Sequence, residues 1–252
     1  MIAALGQRAL LGVGLTVTDY EGELDAIAES IAGRSPSYFC HAAVAAVMNA
    51  RRDPSVAAAL AGATMTVPDG MPLVWALRAL GEQIEDRVYG PDLMLMACER
   101  LSGARHFFYG GHDADATDAL IAALRRRFPA LSVAGGWSPP HRPLHGNEET
   151  EAAAMIDASG ADVVWVGIGS PKQELWMARM RERLAAPALV GVGAAFDFHA
   201  GRVPQAPAWM QARGLEWLHR LSREPRRLGP RYLRDNPVFV AAFLRQWLSE
   251  RR

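Results

Sequence analysis

Asp162-Val163-Val164-Trp165-Val166-Gly167-Ile168-Gly169-Ser170-Pro171-Lys172-Gln173-Glu174 carries the clearest structural signal in the chain. An apolar run, then two glycines, then a helix-starting signature follow one another without a spacer. The run Val163 to Val166 reads as a strand covered on both faces, because a half-exposed strand would alternate polar and apolar residues. Gly167 and Gly169 allow a tight turn or close approach of backbone to a ligand. Ser170 is a good N-cap, Pro171 suits the first helical position, and Gln173 completes an S-x-x-Q capping box. A helix N-terminus at the carboxyl end of a strand presents free N–H groups, and therefore suits an anion. Lys172, the only lysine in the chain, sits there. Two readings stay open for this stretch alone: a phosphate-binding turn, or simply a well-capped helix.

The same strand–turn–helix grammar recurs on both sides. Leu10 to Val17 reads as a short strand, with Gly12-x-Gly14 too incomplete for a dinucleotide fingerprint, and Tyr20 to Ala32 as an amphipathic helix. Ser37 to Cys40 is a strand followed by helices over 42–51 and 55–61. Met65-Thr66-Val67-Pro68 is a strand ending in Asp69-Gly70, before a helix over 72–80. Asp-Gly there is either a plain turn or a carboxylate at a strand end, where α/β enzymes place chemistry. Asp92 is read as the cap of a helix over 93–101, with Pro91 stopping it from extending backward. His106 to Tyr109 is a strand ending in Gly110-Gly111, which admits a phosphate or sugar near the backbone or is only a tight loop. A helix over 114–127, a strand over 131–135, a Pro-, Gly- and His-containing loop over 136–146 of binding-loop length, and a helix over 148–158 follow. The central helix is expected to reach about Leu184. Ala188 to Val192 is the last buried strand, leading into the small-residue loop around Asp197 and His199. Strands alternating with helices argue for a doubly wound, mostly parallel sheet, with its glycine turns along one edge.

Composition sets bounds. The 252 residues are half hydrophobic, enough for one large α/β domain with an appendage. Acidic and basic residues balance at 27 each, so nothing global argues for nucleic acid. The balance is uneven along the chain. Residues 213–252 carry ten arginines against four acidic residues, a local excess of +6 matched by −6 upstream. Such asymmetry points the C-terminal part toward an anionic partner or surface. Pro237 to Arg252 reads as an amphipathic helix, able to lie on an anionic membrane or to pack on its own domain. Cys40 and Cys98 read as reduced core thiols. Neither a signal peptide nor an apolar run of ~18 residues is apparent, and the seven histidines show no metal-ligand spacing.

Taken in order, Pro68-Asp-Gly-Met-Pro-Leu-Val-Trp75, Arg87-Val-Tyr-Gly-Pro-Asp-Leu93, Tyr109-Gly-Gly111, Gly169-Ser-Pro-Lys-Gln-Glu174, Gly191-Val-Gly-Ala-Ala-Phe-Asp-Phe-His-Ala-Gly201, Ala206-Pro-x-Trp209 and Gly214-Leu-Glu-Trp-Leu-x-Arg-Leu221 form a set. The ordered set resembles the WecG/TagA/CpsF glycosyltransferases over roughly residues 10–235. That resemblance implies a Rossmann-like α/β domain over 1–205 and a basic helical appendage over 206–252. It implies an inverting, metal-independent transfer of a sugar from a UDP-sugar to a polyprenyl-diphosphate-linked saccharide, in cell-surface or exopolysaccharide synthesis, by a cytoplasmic protein peripheral to the inner membrane face. No cofactor is expected, and a homo-oligomer is left open. By resemblance Asp69 is the general base, and Gln173 touches the sugar. Lys172, with Ser170, Gly169 and the helix N-terminus, steadies the leaving diphosphate. Gly110, Gly111, Arg87 and Asp92 complete the substrate-binding set, and Arg220, Arg223, Arg226 and Arg227 meet the acceptor diphosphate. The chain departs from the family where a Thr-x-Asn-like element is usual: Phe39-Cys40-His41 stands there, leaving His41 to donate a hydrogen bond to substrate. From a different enzyme class, a nicotinamide-dependent oxidoreductase on a Rossmann-like sheet is the competing reading, weakened by the missing G-x-G-x-x-G.

Overall fold

Alternate residues of each central strand enter two different cores. Val164 and Val166 pack on one side of the sheet with Tyr38, Cys40, Phe107, Tyr109 and Leu189. Val163 and Trp165 pack on the other with Phe39, Phe108, Ala188 and Val190. With both faces covered, the strands have no polar face to show, which is why they read as continuous apolar runs. In the computed structural model, residues 6–251 are described, save the side chains of Ala208, Ala212 and Arg227.

The chain begins with β1 (Gln7–Leu10), β2 (Val13–Thr16), α1 (Tyr20–Gly33), β3 (Ser37–Ala42), α2 (Val44–Ala50), α3 (Pro54–Ala61), β4 (Met65–Pro68) and α4 (Met71–Ala79). It continues with α5 (Gly90–Arg100), β5 (Arg105–Gly110), α6 (Ala114–Arg127), β6 (Ser132–Trp137), α7 (Glu148–Ser159), β7 (Val163–Gly167), α8 (Lys172–Met180), β8 (Ala188–Gly191) and α9 (Ala195–His199). The helices α10 (Ala208–Ala212), α11 (Glu216–Arg223) and α12 (Pro225–Glu250) close it. Among the described residues the main sheet has six strands in the order β4-β3-β8-β7-β5-β6, all parallel. Every strand therefore delivers its carboxyl end, and the loop after it, to one edge.

Four expectations are corrected. The strand expected over residues 10–17 is a two-stranded antiparallel hairpin, β1 with β2. Leu11 and Gly12, at φ +52° and +89°, form its two-residue turn, a geometry matched to strand twist; the Gly-x-Gly is a plain turn. The helix α5 begins at Gly90, so Pro91 and Asp92 lie inside its first turn and Asp92 does not cap it. Pro at such a position removes no helical hydrogen bond. Likewise α8 starts at Lys172 with Pro171 at its cap, and no side chain caps it. Its preceding Ser170–Pro171 peptide is cis, the buried Ser170 hydroxyl sits by the Glu174 carboxyl, and α8 ends at Met180, short of Leu184.

The last correction concerns the C-terminus. α12 starts twelve residues before Pro237 and carries both Pro230 and Pro237 inside it, each forgoing a backbone hydrogen bond. Tertiary contacts compensate. Leu228 and Phe239 are buried, and Asp235 is buried and paired with Arg52 at 2.8 Å. The Leu11 N–H donates to Gln246 Oε1 at 2.8 Å, Gln246 Nε2 to the Ala9 carbonyl at 2.9 Å, and Trp247 Nε1 to the Ala79 carbonyl at 3.0 Å. One face of α12 thus packs on its own chain. Leu233, Val240, Leu244 and Leu248 stay exposed on another face, at 80, 53, 47 and 54%.

Candidate active site

A cavity of about 800 Å³ opens where the strands end. The ends of β3, β7 and β8 supply His41, Gly167 to Ser170, and Gly191 to Gly193. Asp69 enters from β4 and Gly111 from β5. Small residues line the floor for a packing reason: a Cβ on Gly191 would meet Gln173 Nε2 at 3.2 Å, and one on Gly110 would meet the Gly167 backbone at 2.6 Å. Gly110 itself, at φ +150°, therefore brings β5 against β7 from behind the cavity wall.

Asp69 is held by backbone. Its N–H donates to the Ala42 carbonyl at 2.8 Å, extending the β3–β4 pairing by one residue. Its Oδ1 accepts the Gly90 N–H at 3.0 Å, the first residue of α5. Arg87 Nη1 donates to the Asp69 carbonyl at 3.3 Å. Burial raises the Asp69 pKa above the usual carboxylate value, partly opposed by the charges of His41 and Arg87 and by the Gly90 hydrogen bond. A carboxylate raised by desolvation is a stronger proton acceptor.

His41 lines the same cavity yet turns both ring nitrogens toward protein. Nδ1 lies 2.8 Å from the Gly191 carbonyl, and Nε2 lies 3.3 Å from Glu23 Oε2 on α1. Burial by itself lowers its pKa; the Glu23 carboxylate, then Asp69 and the Gly191 carbonyl, outweigh that and raise it to about 9. Nδ1 is thus committed to the Gly191 carbonyl, while Nε2 faces Glu23 without making a hydrogen bond among the described residues.

The opposite wall is the start of α8. Gln173 is 3% exposed and lines the cavity. Its Nε2 donates to Glu174 Oε1 at 3.4 Å, and its Oε1 has no hydrogen-bond partner among the described residues. It does not form the expected capping box; its amide belongs to the cavity side. Glu174 behind it is fully buried, and burial raises its pKa. Lys172, Ser170 and Gly169 line the cavity, as do Arg179 and Trp176 further along α8.

The third wall comes from the C-terminal helices and the loop after β6. Arg220, Glu224, Leu228, Arg231 and Tyr232 line the cavity. Arg220 lies over the Phe198 ring, 5.9 Å from its centroid. α11 is fastened by a buried cluster: Glu216 Oε2 accepts Arg87 Nη2 and Glu216 Oε1 accepts the Tyr89 hydroxyl, both at 2.7 Å. In the loop, His141 Nε2 lies 3.0 Å from His112 Nδ1, and Arg142 is paired with Glu148.

Of the residues singled out from sequence, Asp69, His41, Gly111, Gly169, Ser170, Lys172, Gln173 and Arg220 share this cavity. Gly110, Arg87, Asp92, Arg223 and Arg226 do not line it. Arg87 acts behind Asp69, Gly110 in the wall, and Arg223 and Arg226 are exposed. The side chain of Arg227 lies outside the described residues. Sequence reasoning passed over Glu23, Arg179, Glu216 and the placement of Arg231. A glutamate in the first turn of a helix looks like an ordinary complement to the helix dipole, so Glu23 gave no signal. Among the described residues, no group of three or more His, Cys, Asp or Glu is placed to hold a metal ion.

A parallel, doubly covered sheet with a polar cleft at its strand ends defines a Rossmann-like α/β enzyme. The family follows from comparison with known proteins. Residues 8–252 match the Glycosyl transferase WecG/TagA/CpsF family, and the chain belongs to it. It is a glycosyltransferase, which sets the oxidoreductase reading aside. The chain is also similar to an N-acetylglucosaminyldiphosphoundecaprenol N-acetyl-beta-D-mannosaminyltransferase of Bacillus spizizenii. The two are 30% identical over 198 residues, covering 78% of this chain and 74% of that protein.

Proposed function

We propose that the enzyme transfers a sugar from a UDP-sugar to a polyprenyl-diphosphate-linked saccharide, with inversion and without a metal, in the synthesis of a bacterial surface or secreted polysaccharide. The observation that carries this reading is the meeting of Asp69 with Gln173, Lys172 and Arg220 around one cavity. The acceptor class comes from the similar Bacillus spizizenii enzyme, whose name specifies a diphosphoundecaprenol-linked acceptor.

In this reading the acceptor hydroxyl oxygen attacks the anomeric carbon from the face opposite the UDP. Its proton passes to Asp69 as the new C–O bond forms. The bond from the anomeric carbon to the diphosphate oxygen breaks, and UDP leaves with the electron pair. Lys172 and the free N–H groups of α8 stabilise the charge growing on the leaving diphosphate. Gln173 Oε1, unpaired among the described residues, accepts a hydrogen bond from a sugar hydroxyl. Arg220 contacts the acceptor diphosphate, a role that guanidinium geometry suits. The acceptor is lipid-linked, so the protein works at the inner membrane face, docked by the basic, partly apolar appendage. No helix among the described residues is long and apolar enough to cross a membrane.

Asp69→Asn tests the assignment. The amide keeps the size and the acceptor for the Gly90 N–H but cannot take a proton. Transfer from a UDP-sugar to a lipid-diphosphate acceptor should fall by at least ~100-fold, while UDP affinity measured by calorimetry stays within a few-fold. Undiminished turnover rules out Asp69 as the base.

A further inference from the structure

The surroundings of His41 fix its charge by geometry. Nδ1 faces the Gly191 carbonyl at 2.8 Å and must carry a proton to bond it. Nε2 faces Glu23 Oε2 at 3.3 Å, so an unprotonated Nε2 would point its lone pair at a carboxylate. Facing an ionised Glu23, the imidazolium is the form that suits both neighbours. Glu23 is fully buried on α1, and among the described residues neither of its oxygens accepts a hydrogen bond. A buried carboxylate in that state requires a cation beside it, and His41 is the cation it faces. The next strand leads to Asp69, whose N–H bonds the carbonyl of Ala42, and Gly90 joins the two side chains: its N–H donates to Asp69 Oδ1 at 3.0 Å, and a Cβ on it would lie 3.5 Å from His41 Cγ.

We infer that His41, held as an imidazolium by Glu23, is a positioning residue whose charge keeps Asp69 ionised in its buried setting. The inference rests on the reading of Asp69 as general base. Other charged or titratable groups around the cluster are Arg87 and Tyr89 before α5, Asp92 on α5, Tyr20 on α1, Glu216 on α11, and Cys40 beside His41. Arg87 is shared with Glu216 at 2.7 Å and donates to the backbone carbonyl of Asp69, not to its carboxylate. Without the His41 charge, a desolvated Asp69 would hold a proton at the pH where it has to accept one.

Two measurements test this. In the unaltered enzyme, long-range 1H–15N correlation of the histidine rings should show His41 doubly protonated at neutral pH. In Glu23→Gln the midpoint of that ring titration should fall. A neutral His41 ring, or an unmoved midpoint, overturns the inference. The second is the pH profile of kcat/KM for His41→Asn, where the acid limb should move upward by about 1 unit or more and the rate should recover on its alkaline side. An acid limb that stays in place in a folded His41→Asn protein overturns the inference. Asp69→Asn separates the two levels. If it retains turnover, the general-base reading itself falls. If it is inactive while the His41→Asn limb does not move, only the role of His41 falls. Should His41→Asn not fold, the ring titration of the unaltered enzyme decides.

Discussion

Between Glu23 and the Gly191 carbonyl, the His41 ring gains a partner that the unfolded chain cannot offer, and the proton it holds is linked to stability. Its pKa rises from an ordinary 6.5 to about 9 on folding. For a group raised on folding, the stabilisation is complete below the unfolded value and is lost as pH climbs through the folded value. The window is therefore from about 6.5 to about 9, and the contribution is ~3 kcal/mol by the usual conversion. Denaturant unfolding followed across that window should show the unaltered protein losing stability with rising pH by an amount of this order, and His41→Asn losing much less. Parallel pH curves for the two proteins would contradict the linkage. At the same scale, Gln173 shows why a residue type underdetermines a role. A capping glutamine and a ligand-facing glutamine have the same sequence signature; only the direction of its amide separates them.

At the scale of elements, α11 and the Arg87 segment form one unit. Glu216 accepts from both Arg87 and Tyr89, and the two charged side chains are each only 10% exposed. Breaking a buried ion pair from one side typically costs ~3–5 kcal/mol, because the remaining charge is stranded. α11 has an escape that a core helix lacks: it can undock and let Arg87 reach water. Glu216→Ala is therefore expected to loosen residues 206–224 more than it lowers global stability. Limited proteolysis should cut that segment faster in the variant, and an unchanged rate would show that α11 is held elsewhere. Since Arg87 also bonds the Asp69 carbonyl, activity should fall along with the anchoring.

Over the whole molecule, charge and apolar surface are segregated. The arginine-rich C-terminal region carries the exposed stripe of Leu233, Val240, Leu244 and Leu248, while the other face of α12 is fixed to β1, α2 and α4. An apolar stripe flanked by arginines suits an anionic bilayer surface. The triple change Leu233→Ser, Leu244→Ser and Leu248→Ser touches only exposed side chains, so folding should be nearly unaffected. Sedimentation with vesicles rich in anionic lipid should show binding reduced several-fold. Binding of the unaltered protein should also weaken as salt is raised, because screening shortens the reach of the arginines to ~8 Å near physiological ionic strength. Equal sedimentation of the two proteins would remove the stripe from the docking surface.

The strands, the parallel sheet and the family are all legible in the order of the residues. Apolar runs ending in glycine or Asp-Gly are local signals, and a sheet covered on both faces leaves little freedom for where they go. The sequence also marked Asp69, Gln173 and Lys172, because each sits at the end of a strand or the start of a helix, and parallel topology brings all such places to one edge. Its errors fell where two local patterns look alike: the hairpin at Leu11-Gly12 read as one strand, and α12 read as starting at Pro237 although packing carries the helix through from Pro225. Only the tertiary structure decided the partners. Glu23 lies 18 residues before His41, Glu216 lies 129 residues after Arg87, and neither pairing has a local pattern to announce it. Burial turns these separations into strong coupling, because a charge removed from water must find its counter-charge wherever the fold has placed one.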